Sequence, residues 1–207
     1  MGTKIGILAD IHEAVGPLRQ ALDALAARGA ERIVLLGDVL ELGEHIGTVT
    51  DLLDAAGAIG VWGNHDFGLC KEPVPQAREL LPARALDFFA RLRPRLEIEN
   101  CSFTHVPPYL DPERLEDLWS FDEFTSPEAL VRSFAAVPQR VLCVGHAHRW
   151  LLATPQGALP WKGEAPVLLD PAQRYLIAFH AVLWGWCALL DTGTGLLEPI
   201  DVRGAAP

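Results

Sequence analysis

The sequence predicts an α/β fold with a parallel sheet at its head and a second sheet behind it, and three observations carry that prediction. Apolar runs at 3–9, 32–36 and 58–62 alternate with segments of helical apolar spacing, the pattern of right-handed crossovers between parallel strands. Each run stops at a short polar turn: Asp10-Ile11-His12, Gly37-Asp38 and Gly63-Asn64-His65-Asp66. The last third of the chain reads as short strands punctuated by Gly and Pro, which suits a second sheet packed on the first. With 207 residues the chain is long enough to bury a real core and is expected to form one domain over 1–207, with lid or insert segments at about 70–95 and 107–137.

The run 3–9 is almost wholly apolar, as a strand covered on both faces must be. Leu18, Ala21, Leu22 and Leu25 then repeat at helical spacing, where Pro17 suits a first turn and Gly29 a C-terminal cap. After the second strand, Val49, Leu52, Leu53 and Ala56 mark a helix that Gly57 stops. The third strand leads straight into Gly63. Residues 72–94 carry a weaker helical repeat through Leu80, Leu81, Leu86, Phe88, Phe89 and Leu92, broken by Pro82. Arg78, Arg84, Arg91, Arg93 and Arg95 gather here; a solvated face accounts for them, with a lid over an anionic substrate as the alternative. Residues 96–106 read as two short strands around Glu99-Asn100, ending at Thr104-His105. Residues 107–122 form a surface excursion that Trp119 and Phe121 pack down. Ser126-Pro127-Glu128 opens a helix with a capping hydroxyl and a proline at the first helical position. Residues 140–144 form a buried strand ending in Gly145-His146-Ala147-His148, and strands follow at 150–153, 167–169, 175–181, 186–190 and 196–202.

Composition narrows the function. A net charge of −10 argues against a nucleic-acid backbone as standing partner, which asks for a basic face. It leaves room for a small phosphorylated substrate, because an acidic site loaded with divalent ions turns locally positive. The longest apolar stretch, 175–190, is short for a bilayer and contains His180, Gly185 and Trp186, so no membrane association is expected; it reads as two core strands joined near Trp184-Gly185. No signal-peptide pattern opens the chain. Cys70, Cys101, Cys143 and Cys187 form no CxxC pair, and reduced thiols in a cytoplasmic protein are the expectation. Trp184 and Trp186 suit either core or the surface of a homo-oligomer.

Asp10, His12, Asp38, Asn64, His65, Asp66, His105, His146 and His148 all stand at the ends of expected strands, and five of the seven histidines are among them. Carboxylate, imidazole and amide oxygen are ligands for Mn, Fe, Co, Ni or Zn, and the absence of thiolate from the set argues against a structural zinc knot. Two such ions sharing a carboxylate make a hydrolytic site, in which a phosphoryl oxygen is polarised and a bridging water is acidified. His146 and His148, two apart on an extended segment, point to the same side. Read singly, each residue has a plainer role: His12 on the approach to a helix, His105 as a core histidine bonded to backbone, Asp38 as a turn residue. Asp66 is expected to cap the following turn, His45 to lie on the surface and His180 to be packed.

In order along the chain, Asp10-x-His12, Gly37-Asp38, Gly63-Asn64-His65-Asp66, a lone His105 after a strand and Gly145-His146-x-His148 resemble the calcineurin-like metallophosphoesterase superfamily. The resemblance implies a four-layer α/β/β/α sandwich of two mixed sheets flanked by helices. It implies that Asp10, His12 and His148 hold one metal, that Asn64, His105 and His146 hold the other, and that Asp38 bridges them. It places His65 off the metals, acting on the leaving-group oxygen as general acid or stabilising the phosphoryl charge. The implied activity is hydrolysis of a phosphodiester or phosphomonoester by a metal-bridging hydroxide, with Mn first among the candidate ions and Fe, Ni, Co or Zn as alternatives.

The chain also departs from that family. Where many members carry Asp-Arg-Gly after Gly-Asp, this sequence reads Val39-Leu40-Glu41-Leu42-Gly43. Glu41 takes the place of the Asp and is expected to orient His65; the missing Arg counts against a protein phosphatase or dinucleoside tetraphosphatase. The chain looks more like the small bacterial and archaeal phosphodiesterase branch, although the Asn-(Pro/Val)-Gly-Ser stretch of that branch is replaced by Ala178-Phe179-His180-Ala181. Two other readings stay open: a protein or nucleotide phosphatase, gripped by Arg149 and Trp150 or by the Arg-rich segment, and a non-enzymatic interaction scaffold on the same fold.

Overall fold

Alternation within single strands sets the layers. The computed structural model describes residues 2–71, 75–120 and 123–204, without the side chain of Arg78. In β1 (Lys4–Leu8), Ile5 and Ile7 face one core and Leu8 another. Helix α1 (Val15–Ala27) follows, and then β2 (Arg32–Leu36), which divides likewise: Val34 and Leu36 join Ile5 and Ile7, whereas Ile33 and Leu35 join Leu8. This is the period-2 rule applied to a sheet covered on both faces. Helix α2 (Ile46–Ala55) leads to β3 (Ile59–Val61), and the three strands pair in parallel. Gly29 and Gly57 follow the two helices with φ of 75° and 63°, the left-handed exit expected of them.

The next segment departs from the expected single repeat. Three short helices occur, α3 (Phe67–Cys70), α4 (Pro75–Leu80) and α5 (Ala83–Phe89). Pro82 starts α5 rather than merely breaking a helix, because its φ of −58° suits a helix entrance. Arg84 pairs with Asp51 at 2.8 Å, Arg91 pairs with Asp54, and Arg95 donates to the carbonyls of Pro108 and Leu110. The expectation for Arg78 lies outside the described side chains.

The second half builds the second sheet. The hairpin of β4 (Leu96–Ile98) and β5 (Cys101–Thr104) turns at Glu99, and after α6 (Leu115–Leu118) comes α7 (Pro127–Ala136), whose Ala129 amide donates to Ser126 Oγ as the sequence predicted. Then follow β6 (Val141–Val144), β7 (Leu151–Thr154), an unforeseen β8 (Gly157–Ala158), β9 (Val167–Leu168), β10 (Tyr175–Ala178), a 3-10 turn at Val182–Trp184, β11 (Trp186–Asp191) and β12 (Leu196–Asp201). The sheets run β3-β2-β1-β11-β12-β9 and β4-β5-β6-β10-β7-β8. The two strands joined near Trp184-Gly185 therefore belong to different sheets. The 3-10 turn carries the chain across, and Gly185 takes the left-handed φ of 78° that this reversal demands.

Ile5, Ile7, Val34 and Leu36 meet Phe103, Val141, Cys143 and Ile177 between the sheets. Helices α1, α2 and α5 cover the outer face of the first sheet, and α7 covers the second through Leu130 and Phe134. The result is the four-layer α/β/β/α sandwich. Among the described residues no helix is long and apolar enough to cross a membrane. Trp150 is buried against Trp161, Phe179 and Trp186, so it fills core instead of reaching for a ligand. His45 is exposed, and His180 stacks on Trp186 at 5.7 Å. The packing role expected of Phe121 lies outside the described residues, and Trp119 is 45% exposed rather than packed down.

Candidate metal centre

Five parallel strands end on one side of the sandwich, and each delivers donors there. β1 is followed by Asp10 and His12, β2 by Asp38, β3 by Asn64 and His65, β5 by His105, and β6 by His146 and His148. The turns after β1 and β2 are laced together by backbone bonds from Asp10 to Gly37, Ile11 and His12 to Asp38, and Glu13 to Val39, all at 2.8–3.1 Å. The amide of His146 donates to Asp10 Oδ1 at 3.1 Å, which ties the second sheet's turn to the first. Among the described residues, seven other than glycine have positive φ, and six of them are here: Asp10 (51°), His12 (44°), Glu13 (57°), Asp38 (55°), His146 (61°) and His148 (49°). Strain of this kind, of order 1–3 kcal/mol per residue, persists only where surroundings enforce it, and it gathers at functional sites. Gly63 is required by close approach: a Cβ there would stand 2.1 Å from Asp38 Oδ1.

Among the described residues three groups of donors result: two share Asp38, and the third joins His12, Glu41 and His65. Asp10, His12, Asp38 and His148 offer atoms all within 4.8 Å of one another, and so do Asp38, His105 and His146. Asn64 completes the second group, with Oδ1 2.9 Å from His105 Nε2 and 3.0 Å from His146 Nδ1. Asp38 belongs to both: its Oδ2 lies 3.4 Å from His105 Nε2 and 3.8 Å from His12 Nε2. His12 Nε2 is 3.2 Å from His148 Nε2, and His105 Nε2 is 3.2 Å from His146 Nδ1. Paired imidazole nitrogens at such distances aim lone pairs at a common point. The far nitrogens are engaged in the manner that fixes such tautomers. His105 Nδ1 donates to the Leu36 carbonyl at 2.6 Å, His146 Nε2 to the Ser120 carbonyl at 3.1 Å, and His12 Nδ1 to Glu41 Oε2 at 2.8 Å.

One further observation tests whether a cation fits. Asp10 Oδ2 is buried without a hydrogen-bond partner, an expensive arrangement for a carboxylate oxygen unless a cation meets it. The electrostatics agree. Burial works to raise the Asp38 pKa, but the charge of His105 and a hydrogen bond from it hold the carboxyl well below its usual range. Burial likewise opposes protonation of His105, yet the charge of Asp38 and the bond to it push that imidazole up to about 9. Burial and then the charge of His105 push His146 down to about 4, and the bond to Asp10 raises His148. Asp10 and Asp38 thus favour positive charge on His148 and His105, while His146 is kept neutral, the form that ligates a cation.

His65 stands off both Asp38 groups and belongs to the third, with its ring 4.7 Å from that of His12 and its Nδ1 3.5 Å from Glu41 Oε2. Glu41, expected to orient His65, is nearer to His12, so its first task is to hold a donor imidazole. Asp66 also differs from expectation. It makes no helix-capping bond; its fully buried carboxylate accepts from the amides of Val39, Leu40 and Gly63 at 2.9–3.0 Å and so clamps the Asp38 turn to the Asn64 turn. Burial, then the charge of Asp38, push its pKa up to about 6. Glu13 was missed altogether. It is 6% exposed and accepts from the amides of Glu41, Gly43 and His45 at 2.6–2.9 Å, which shapes the loop that presents Glu41. Its one sequence signal was a carboxylate next to Asp10-x-His12.

A cleft of about 410 Å³ opens above the donors, lined also by Trp119, Phe124 and Arg149. Of the Arg-rich segment, Arg84, Arg91, Arg93 and Arg95 do not line it. The comparisons with known proteins point one way. The family model for the calcineurin-like phosphoesterase superfamily domain matches residues 3–161. An uncharacterised protein of Methanocaldococcus jannaschii is 24% identical over 197 residues, spanning 84% of this chain and 73% of its own. A metallophosphoesterase from Sphaerobacter thermophilus has the same fold, with a TM-score of 0.78 at 21% identity over 98% of this chain and 90% of that one. An archaeal phosphodiesterase is similar at a TM-score of 0.55 and 18% identity, over 96% and 99% of the two chains.

Proposed function

The chain belongs to the calcineurin-like phosphoesterase superfamily, and from that premise we propose that it hydrolyses phosphodiester or phosphomonoester bonds of small substrates at a pair of divalent ions. The observation that carries the reading is the place of Asp38, whose carboxylate belongs to both donor groups. Asp10, His12 and His148 would hold one ion, and Asn64, His105 and His146 the other, with Asp38 between them. Manganese is the first candidate, and Fe, Ni, Co or Zn suit the same imidazole and carboxylate donors. Bound there, two divalent ions supply Lewis acidity toward a phosphoryl oxygen and toward water.

The chain's own residues do the rest. His65 faces the cleft beside the donors without belonging to the Asp38 groups, which suits a general acid that protonates the departing alcohol. Glu41 fixes His12 and stands within reach of His65, so it couples the two. Asp66 and Glu13 hold the strained turns in place through backbone amides. The missing Arg after Gly37-Asp38 supports a small substrate over a phosphoprotein. A cytoplasmic location and the absence of a standing nucleic-acid partner complete the reading.

Metal analysis of the purified chain, followed by hydrolysis of bis-p-nitrophenyl phosphate and p-nitrophenyl phosphate with Mn, Ni, Co, Mg and Zn, tests it. Two equivalents of bound metal and metal-dependent turnover are expected. A chain that binds no divalent ion is a scaffold instead. His65→Ala should cut turnover by about 10²- to 10⁴-fold and leave bound metal nearly unchanged; loss of metal with it would show that His65 is a ligand.

A further inference from the structure

The walls of the cleft are more selective than its floor. Trp119 lies on its rim, 5.5 Å between ring centroids from His65 and tilted 45° to it, with 45% of the residue exposed. An exposed indole beside the group assigned to the departing oxygen is placed to meet whatever departs. It is also well fastened. Leu118, just before it, is fully buried; Ser120, just after it, accepts from His146 Nε2 at 3.1 Å; and Phe124 stacks on the His146 ring at 6.2 Å and 18°. The chain on either side of Trp119 is therefore anchored to core and to a donor histidine. Arg149, which follows His148, lines the same cleft, and among the described residues its guanidinium makes no hydrogen bond or ion pair. A volume of about 410 Å³ admits a small molecule with one ring.

We propose that Trp119 is the leaving-group platform: the substrate is a phosphoester whose departing alcohol carries a flat aromatic or heteroaromatic ring. The ring stacks on Trp119 while His65 reaches the ester oxygen, and Arg149 meets the negative charge of the phosphoryl group that is retained. Water supplies the hydroxyl that replaces the ester oxygen on phosphorus, and the departing alkoxide takes a proton from His65. The proposal rests on the phosphoesterase reading above. It goes beyond it in naming the chemistry of the alcohol and the side chains that select it.

Two measurements test it. Benzyl methyl phosphate offers two alcohols of nearly equal acidity, so the ratio of benzyl alcohol to methanol released by the manganese-loaded protein reports recognition rather than leaving-group chemistry. A ratio of roughly five is expected, falling to about one in Trp119→Ala and partly kept in Trp119→Phe, from the usual worth of an aromatic pair. Calorimetric titration with benzylphosphonate and cyclohexylmethylphosphonate, which share their charge and are not hydrolysed, should show the same preference lost in Trp119→Ala, while Arg149→Met weakens both ligands alike. Equal binding of the two phosphonates, binding of neither, or a preference that survives Trp119→Ala overturns the platform. Absence of turnover from every ester, with the phosphonate preference and its loss in Trp119→Ala intact, overturns the hydrolase reading and leaves ring recognition by Trp119 standing.

Discussion

The two halves of the donor cluster are held in different ways. His105 and His146 are oriented by main-chain carbonyls, those of Leu36 and Ser120, and His105 is fully buried. His12 is oriented by the carboxylate of Glu41, whose side chain is 45% exposed, and its neighbour His148 has a side chain 33% exposed. A backbone acceptor comes with the fold, whereas a carboxylate on an exposed loop is held only as firmly as that loop. His105 is thus fixed once the sheets have packed together, and His146 once the segment carrying Ser120 has settled against it. The half built on His12 depends on Glu13 gathering the amides of Glu41, Gly43 and His45. The ion in the His12 half is expected to bind more weakly and exchange faster.

The broadest way to break the comparison is to remove what the halves share. Asp38→Asn should lower kcat/KM roughly 10³-fold, about 4 kcal/mol of transition-state stabilisation, and reduce the content of both ions. Loss of one ion alone would mean that Asp38 serves a single half. Next, Glu41→Gln should weaken one ion of the pair by about 10- to 100-fold, the usual effect of altering a residue that orients a ligand. Chelator competition reads this directly, and equal weakening of both ions would erase the distinction between backbone and side-chain support. The smallest effect is expected for Asp66→Asn. The amide side chain offers one acceptor oxygen where the carboxylate offers two, so at least one of the Val39, Leu40 and Gly63 amides is weakened. A loss of about 1–2 kcal/mol, or a few degrees in Tm, should follow, with both ions loosened slightly because Asp66 clamps the turn they share.

These residues also mark what could be read from the sequence. The donors were legible because each ends its own strand: an apolar run that stops at Asp10, Asp38, Asn64, His105 or His146 announces a buried strand and a polar end together. The parallel head of the first sheet followed from the same runs. The roles of Asp66 and Glu13 were not legible, because apart from the nearby Gly63 amide that Asp66 holds, both act on backbone amides 26–32 residues away, and no local pattern encodes an acceptor that distant. Glu41 was read as a partner of His65 alone; the short loop after Asp38 also brings it to His12, at 2.8 Å against 3.5 Å for His65. Trp119 read as packing because an isolated indole in a polar segment ordinarily packs. Only the fold reveals that its neighbour is His65. The two strands joined near Trp184-Gly185 were legible as strands, but sequence gives no sign that a 3-10 turn carries the chain from one sheet to the other between them.

The most direct test of the central claim is anomalous diffraction from crystals of the manganese-loaded protein. Two peaks about 3.5–4 Å apart, one on either side of the Asp38 carboxylate, are the predicted result. A single peak away from Asp38, or none among Asp10, His12, Asn64, His105, His146 and His148, would contradict it.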